Sequence, residues 1–279
     1  MRVYISADIE GVGGIAHLAS TGPKRIDWET SARQWMTNEV LAAIAACDAA
    51  GANEYVITDG HGSAHNLLID SFPDNSRLIR SWPRPLLQME AIDQGHYDAA
   101  IFIGHHASAT MAGGILAHSF TGTFADIRLN GVSQSETSLN VLLAGHYGVP
   151  VIFTSGDDCY IAHCQERLPG IETVITKRAI GYSSAESLTP AASCAAIRAG
   201  VARALERRAS IAPLAQPSHF DLEMDFFSRS QPEMLDYLPF FERRGSFTIG
   251  LKVADAVEMM KTISFLSFYQ SEGVPKYGF

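Results

Sequence analysis

The sequence predicts an α/β fold, an open and mostly parallel sheet with flanking helices, followed by a smaller C-terminal α+β part. Two observations carry that expectation. Short β-branched runs alternate with helix-like stretches up to about residue 200, and after Pro213 and Pro217 the texture changes to strictly alternating strands and one closing amphipathic run. The expected division is residues 1–212 for the α/β domain and 213–279 for a lobe or sheet extension, within reach of a 279-residue chain.

Taken in order, strands are expected at 2–7, at 54–58 (EYVIT), at 98–103 (DAAIFI) and at 149–154 (VPVIFT), with a weaker one at 172–177 (ETVITK). Helices are expected at 28–50, 86–94, 136–147 and 157–166, and at 190–208, where alanine supplies high intrinsic propensity. The Gly-, Ala-, Ser- and Thr-rich stretch 107–127 reads as a long functional loop, with a short strand at 127–129 behind it. Beyond residue 213, HFDLEMDF and SFTIGLKV alternate as strands and the run from Asp255 to Tyr269 as a helix.

Composition narrows the classes of function. Charged residues make up 18% and hydrophobic residues 47%, a globular balance, and no apolar run approaches the roughly 20 residues of a membrane span. A net charge of −9 provides no cationic footprint for nucleic acid. The first strand starts within three residues of Met1 with no basic and apolar leader before it, so the cytoplasm is the expected location. Cys47, Cys159, Cys164 and Cys194 form no CxxC pair and read as free thiols.

Open α/β sheets bind ligands beyond the carboxyl ends of their strands, so the residue types that follow each strand are informative. Asp8 and Glu10 follow the first, in SADIEGVGG; Asp59 and His61 follow the second, in TDGHGSAHN; His105 and His106 follow the third, in FIGHHAS; Asp157 and Asp158 follow the fourth, in TSGDDC. Alternation sends Asp8 and Glu10 to the same side if the chain is still extended there. Two ionised carboxylates at the end of a buried strand cost several kcal/mol unless something neutralises them.

Histidine with carboxylates and without cysteine suits zinc, manganese or iron, and a bridging carboxylate would hold two such ions about 3.5–4 Å apart. The glycines Gly11, Gly13 and Gly14 then let the backbone turn close to whatever is bound. They do not fit GxGxxG, and no Gly-Lys-Ser/Thr follows, so nucleotide binding is poorly supported. From spacing alone Glu136 reads as a first-turn glutamate complementing the helix dipole, with Ser133 and Glu136 spaced as a capping box. The residues by themselves admit a metal-dependent amide hydrolase, acting on a peptide or on a cyclic or non-peptide amide, and also a non-catalytic metal-binding ring protein.

With those residues in hand, the sequence resembles the M55 peptidases, the DppA-type D-aminopeptidases. The resemblance is carried by SADIEG at Ser6 to Gly11, DGH at Asp59 to His61, GHHA at Gly104 to Ala107, AHS at Ala117 to Ser119, SETSLN at Ser135 to Asn140 and SGDD at Ser155 to Asp158. It implies an aminopeptidase with two zinc ions per chain, held by residues matching Asp8, Glu10, His61, His106 and Glu136, with Asp8 bridging. It replaces the capping reading of Glu136 and selects His106 over His105. The family's catalytic histidine matches His118, expected here to give a proton to the leaving amine or a hydrogen bond to the oxyanion. The substrate implied is a short peptide or amino acid amide with an N-terminal, D-configured residue. The assembly implied is a homodecamer of two pentameric rings, with the C-terminal part available for subunit contacts.

Overall fold

The computed structural model describes residues 1–168 and 170–269. In chain order its elements are β1 (Arg2–Ala7), α1 (Arg33–Ala49, entered through a π-turn over Trp28–Ala32), β2 (Glu54–Asp59), β3 (Ser76–Ile79), β4 (Ala99–Ile103), β5 (Phe124–Leu129), β6 (Val132–Ser133), α2 (Glu136–His146), β7 (Val151–Asp157), α3 (Asp158–Arg167), β8 (Glu172–Gly181), β9 (Ser184–Ser187), α4 (Pro190–Arg207), β10 (Phe220–Phe226), α5 (Ser230–Leu235), β11 (Glu242–Arg243), β12 (Thr248–Val253) and α6 (Ala256–Phe268).

A seven-stranded sheet runs β3-β2-β1-β4-β7-β8-β9, parallel throughout except for β9, which turns back antiparallel on β8. Both its faces are covered, which is why its central strands are apolar along their whole length. Alternation on β1 divides them: Val3, Ile5 and Ala7 pack in the cluster that includes residues of α1 and α4, whereas Tyr4 joins the cluster that includes residues of α2, α3 and α6.

A second sheet, β11-β12-β10-β5-β6, is antiparallel. Its strands β10, β11 and β12 lie beyond residue 213, and β10 pairs with β5, which in turn pairs with β6, so the two parts of the chain share one sheet. Residues 270–279 of the expected C-terminal part lie outside the described residues.

The helix expected at 86–94 is not formed. A single 3-10 turn, Leu87–Met89, stands there, with Leu87 and Ala91 at φ of +51° and +67°, a left-handed backbone that no α-helix can propagate through. The expected capping box is also different. Ser135 caps α2 by accepting from the Ser138 amide, and the Ser138 hydroxyl accepts from the Ser135 amide at 2.8 Å. Ser133 instead donates to Asp126 at 2.9 Å. This leaves the side chain of Glu136, the first residue of α2, free to point elsewhere. Edge strands β3 and β9 and the first half of β5 were not expected from the sequence; their short, polar-interrupted runs (SRLI, SAES, FAD) carry little strand signal.

Strand order reverses at β1, whose neighbours are β2 on one side and β4 on the other. The crevice beyond the carboxyl ends of these three strands is where a doubly wound sheet binds its ligands.

Candidate metal centre

Three strand ends and one helix start converge on that crevice. The loop after β1 brings Asp8 and Glu10, the loop after β2 brings His61, the loop after β4 brings His106 and, further along, His118, and the first turn of α2 brings Glu136. The close approach of the first and third loops depends on two glycines. A Cβ at Gly11 would strike the His105 carbonyl, and one at Gly104, at φ +70°, would strike the Asp8 carbonyl and come within 2.7 Å of Val12. Backbone bonds tie the same loops together, from the Asp8 amide to the Ile103 carbonyl (2.8 Å) and from the Gly11 amide to the Gly104 carbonyl (2.7 Å). Gly11 therefore serves loop-on-loop packing, while Gly13 lies against Ser193 and Glu39 and Gly14 against Trp35.

Asp8 stands at the middle of the cluster. Its Oδ1 lies 3.3 Å from His61 Nδ1 and its Oδ2 lies 3.7 Å from His106 Nε2, so the two carboxylate oxygens face two different histidines. Glu10 Oε2 is 2.9 Å from His61 Nδ1, Glu136 Oε1 is 3.3 Å from His106 Nε2, and His118 Nε2 is 3.9 Å from Glu136 Oε1. The His106 and His118 rings stack with centroids 4.2 Å apart.

Each of the three histidines is oriented through its other nitrogen. His61 Nε2 is bonded to the Thr21 carbonyl, His106 Nδ1 to the Ala107 carbonyl (2.9 Å) and His118 Nδ1 to the Leu116 carbonyl (2.9 Å). With its other nitrogen held by a carbonyl, each ring turns one nitrogen to the carboxylates, which offers a metal ion a lone pair when the ring is neutral and offers a carboxylate a proton when it is charged. His105 is turned away: its ring lies on Phe102, and its nitrogens meet the Ser6 and Thr137 hydroxyls at 3.2 and 3.3 Å.

The electrostatics are those of a site that wants positive charge. Burial alone would raise the Asp8 carboxyl, but the hydrogen bond from His61 and the fields of His106 and His61 hold it well below the usual carboxylate range. Burial disfavours charge on His106 as well, yet Glu136 outweighs it and pushes His106 up to about 10; Glu10 and Asp8 likewise outweigh burial at His61 and raise it well above the ordinary histidine value. Among the described residues no lysine or arginine pairs with Asp8, Glu10 or Glu136. His106 Nε2 and Glu10 Oε2 are buried and have no polar neighbours except the cluster's own ligand-type groups, the nearest being Glu136 at 3.3 Å and His61 at 2.9 Å, which suits donor atoms that a cation would satisfy. Two groups of ligand-type side chains lie close enough to share an ion, Asp8 with Glu10 and His106, and His106 with His118 and Glu136.

The remaining strand-end acids do other work. Asp59 shapes the loop that carries His61 by accepting from the amides of Asn66 (2.6 Å) and Leu67 (2.8 Å). Asp157 caps α3 through the Tyr160 amide (2.9 Å), and Asp158 accepts from the Ala179 amide (2.9 Å). One residue of the centre had no signal in the sequence. Gln88 Nε2 donates to Asp8 Oδ2 (3.0 Å) and to Glu136 Oε2 (2.6 Å), while its own oxygen accepts from Asn140 (2.7 Å). It reaches the acids because left-handed Leu87 breaks the helix expected there. Gln88 also lines a cavity of about 180 Å³ walled by Trp82, Leu87, Phe120 and Phe268.

The peptidase M55 family model, described as D-aminopeptidase, matches residues 1–265. The chain belongs to that family. It is 28% identical over 259 residues to the D-aminopeptidase of Bacillus subtilis (strain 168), covering 92% of this chain and 93% of that one. It is similar, with a TM-score of 0.88 and 27% identity, to the solved structure of the Zn-dependent D-aminopeptidase DppA from Bacillus subtilis, a self-compartmentalizing protease, over 97% of this chain and 99% of that one. The M55 assignment thus spans both sheets and every loop of the centre.

Proposed function

We propose that this M55 protein is a zinc aminopeptidase that removes N-terminal, D-configured residues from short peptides or amino acid amides. The observation that carries it is the buried carboxylate and histidine cluster, short of positive charge, on a chain of this family. Asp8, with one oxygen toward each of two histidines, would be the shared ligand; Glu10 and His61 would serve one ion, and His106 and Glu136 the other. Bound zinc supplies Lewis acidity toward the scissile carbonyl and brings the pKa of water toward neutrality.

The chain's own residues do the rest. Gln88 fixes Asp8 and Glu136 relative to each other, and the carbonyls of Thr21 and Ala107 fix the ligand histidines. His118 is the proton carrier: its side chain is 32% exposed, against 2–12% for the other histidines of the centre, so substrate reaches it. Its Nδ1 is committed to the Leu116 carbonyl, which leaves Nε2 to take a proton and return it to the departing amine. The cavity beside Gln88 receives the substrate side chain.

Exposed Phe227, Tyr237 and Phe240, all beyond residue 213, are apolar side chains available for assembly of a homo-oligomer, a decamer of two pentameric rings. No described helix is long and apolar enough to cross a membrane.

The test is hydrolysis of a panel of D- and L-aminoacyl amides and dipeptides by zinc-reconstituted protein. Turnover of D-aminoacyl substrates that chelation abolishes and zinc restores is the expected result. A panel with no amide hydrolysed would overturn the proposal.

A further inference from the structure

The loop that carries Glu10 is gripped from behind by residues the proposed chemistry does not use. Lys177, near the middle of β8, is 2% exposed, and its ammonium donates to three backbone carbonyls of that one loop, those of Glu10, Ile15 and, at 2.9 Å, Val12. Its neighbour Thr176 donates to the Gly11 carbonyl at 2.6 Å. Glu39 of α1 accepts from the Gly13 amide at 2.9 Å and is itself held by Ser193 of α4 at 2.6 Å. Ser187 of β9 accepts from the Gly14 amide at 2.6 Å.

Between Glu10 and Ile15 the turn is therefore held by side chains from three elements, β8, α1 and β9. No regular structure could satisfy it, because three carbonyls pointing to one interior spot need a compact donor with several protons, and an ammonium is such a group. A buried lysine is costly and is tolerated only where its protons are used. The contact is with the backbone at Glu10 and leaves its carboxylate free to face His61.

We propose that Lys177 is a positioning residue that, with Thr176 and Glu39, sets the Glu10 carboxylate for the metal ion it shares with His61. This rests on the two-zinc reading of the centre. The grip touches only the Glu10 side; His106 and Glu136 are anchored by other elements, so its removal acts on one ion and spares the other.

Chelator-competition zinc titrations of the full-length protein, Lys177→Met and Thr176→Val test this, with no reliance on turnover. The unaltered protein should bind two ions. Lys177→Met should weaken one of them by about tenfold or more, the range found when partners that orient ligands are removed, and leave the other unchanged. Thr176→Val, which removes one hydroxyl of the same grip and exposes no unpaired cation, should give a smaller loss at the same ion and decides the matter if Lys177→Met does not fold. Equal weakening of both ions, or unchanged binding in the variants, would overturn the proposal. An unaltered protein that binds no zinc would overturn the metal reading itself.

Discussion

The two sheets treat their carboxylates in opposite ways. On the antiparallel sheet, Asp225 of β10 receives a two-pronged bond from Arg128 of β5 at 2.6 and 3.0 Å, and Arg244 reaches Asp221 at 2.7 Å. These acids are partly exposed and matched by guanidinium groups, and the Arg128 bond draws the Asp225 carboxyl down against the opposing effect of burial. At the carboxyl edge of the parallel sheet, Asp8, Glu10 and Glu136 are buried and meet histidines, a glutamine and backbone amides instead. Identical side-chain chemistry thus serves cross-strand cohesion where the counter-charge is built in, and ligand capture where it is left out.

Altering each region in turn should separate the two uses. Asp8→Ala should have the largest effect, with more than one zinc ion per chain lost, as the proposed bridging role requires, and peptidase activity lost with them. Plasma emission spectroscopy reads the stoichiometry, and full retention of metal would break the distinction drawn between the sheets. His118→Ala should lower kcat by about 100-fold or more while zinc remains bound. Gln88→Leu should weaken zinc binding by about tenfold, because Asp8 and Glu136 lose the amide they share. Arg128→Ala should cost about 1 kcal/mol in a denaturant melt and leave zinc content untouched, since partly exposed pairs contribute little. A zinc defect in that last variant would mean that the two regions are coupled.

Much of this was legible in the residues. The central strands β1, β2, β4 and β7 announce themselves because burial on both faces demands unbroken apolar runs, and a charged or imidazole side chain at the end of such a run stands out. That is how Asp8, Glu10, His61 and the pair His105 and His106 became candidates, together with Asp59, Asp157 and Asp158, and only the family resemblance chose His106 over His105. Glu136 did not stand out, because the first turn of any helix welcomes a glutamate through the helix dipole; only the family resemblance marked it. Gln88 was hidden more deeply. A residue in the left-handed region has no reliable sequence signature unless it is glycine or asparagine, so the break at Leu87 was read as continuing helix. Edge strands β3 and β9 were missed because half-exposed, interrupted strands resemble loops.

Burying Glu39 and Lys177 behind the Glu10 loop also links folding to proton activity. Burial pushes the Glu39 carboxyl up from 4.5 to about 7, with Lys177 the cation facing it. Over that window the native chain keeps a proton that the unfolded chain has released, so stability falls as pH rises. Burial pushes Lys177 down from 10.5 to about 8, against the fields of Glu39, Asp157 and Glu10. There the unfolded chain holds the extra proton, and stability recovers as pH climbs. The pair therefore contributes least between about pH 7 and 8. Glu39→Gln should flatten the acid limb of a melting-temperature profile against pH and leave the alkaline limb in place.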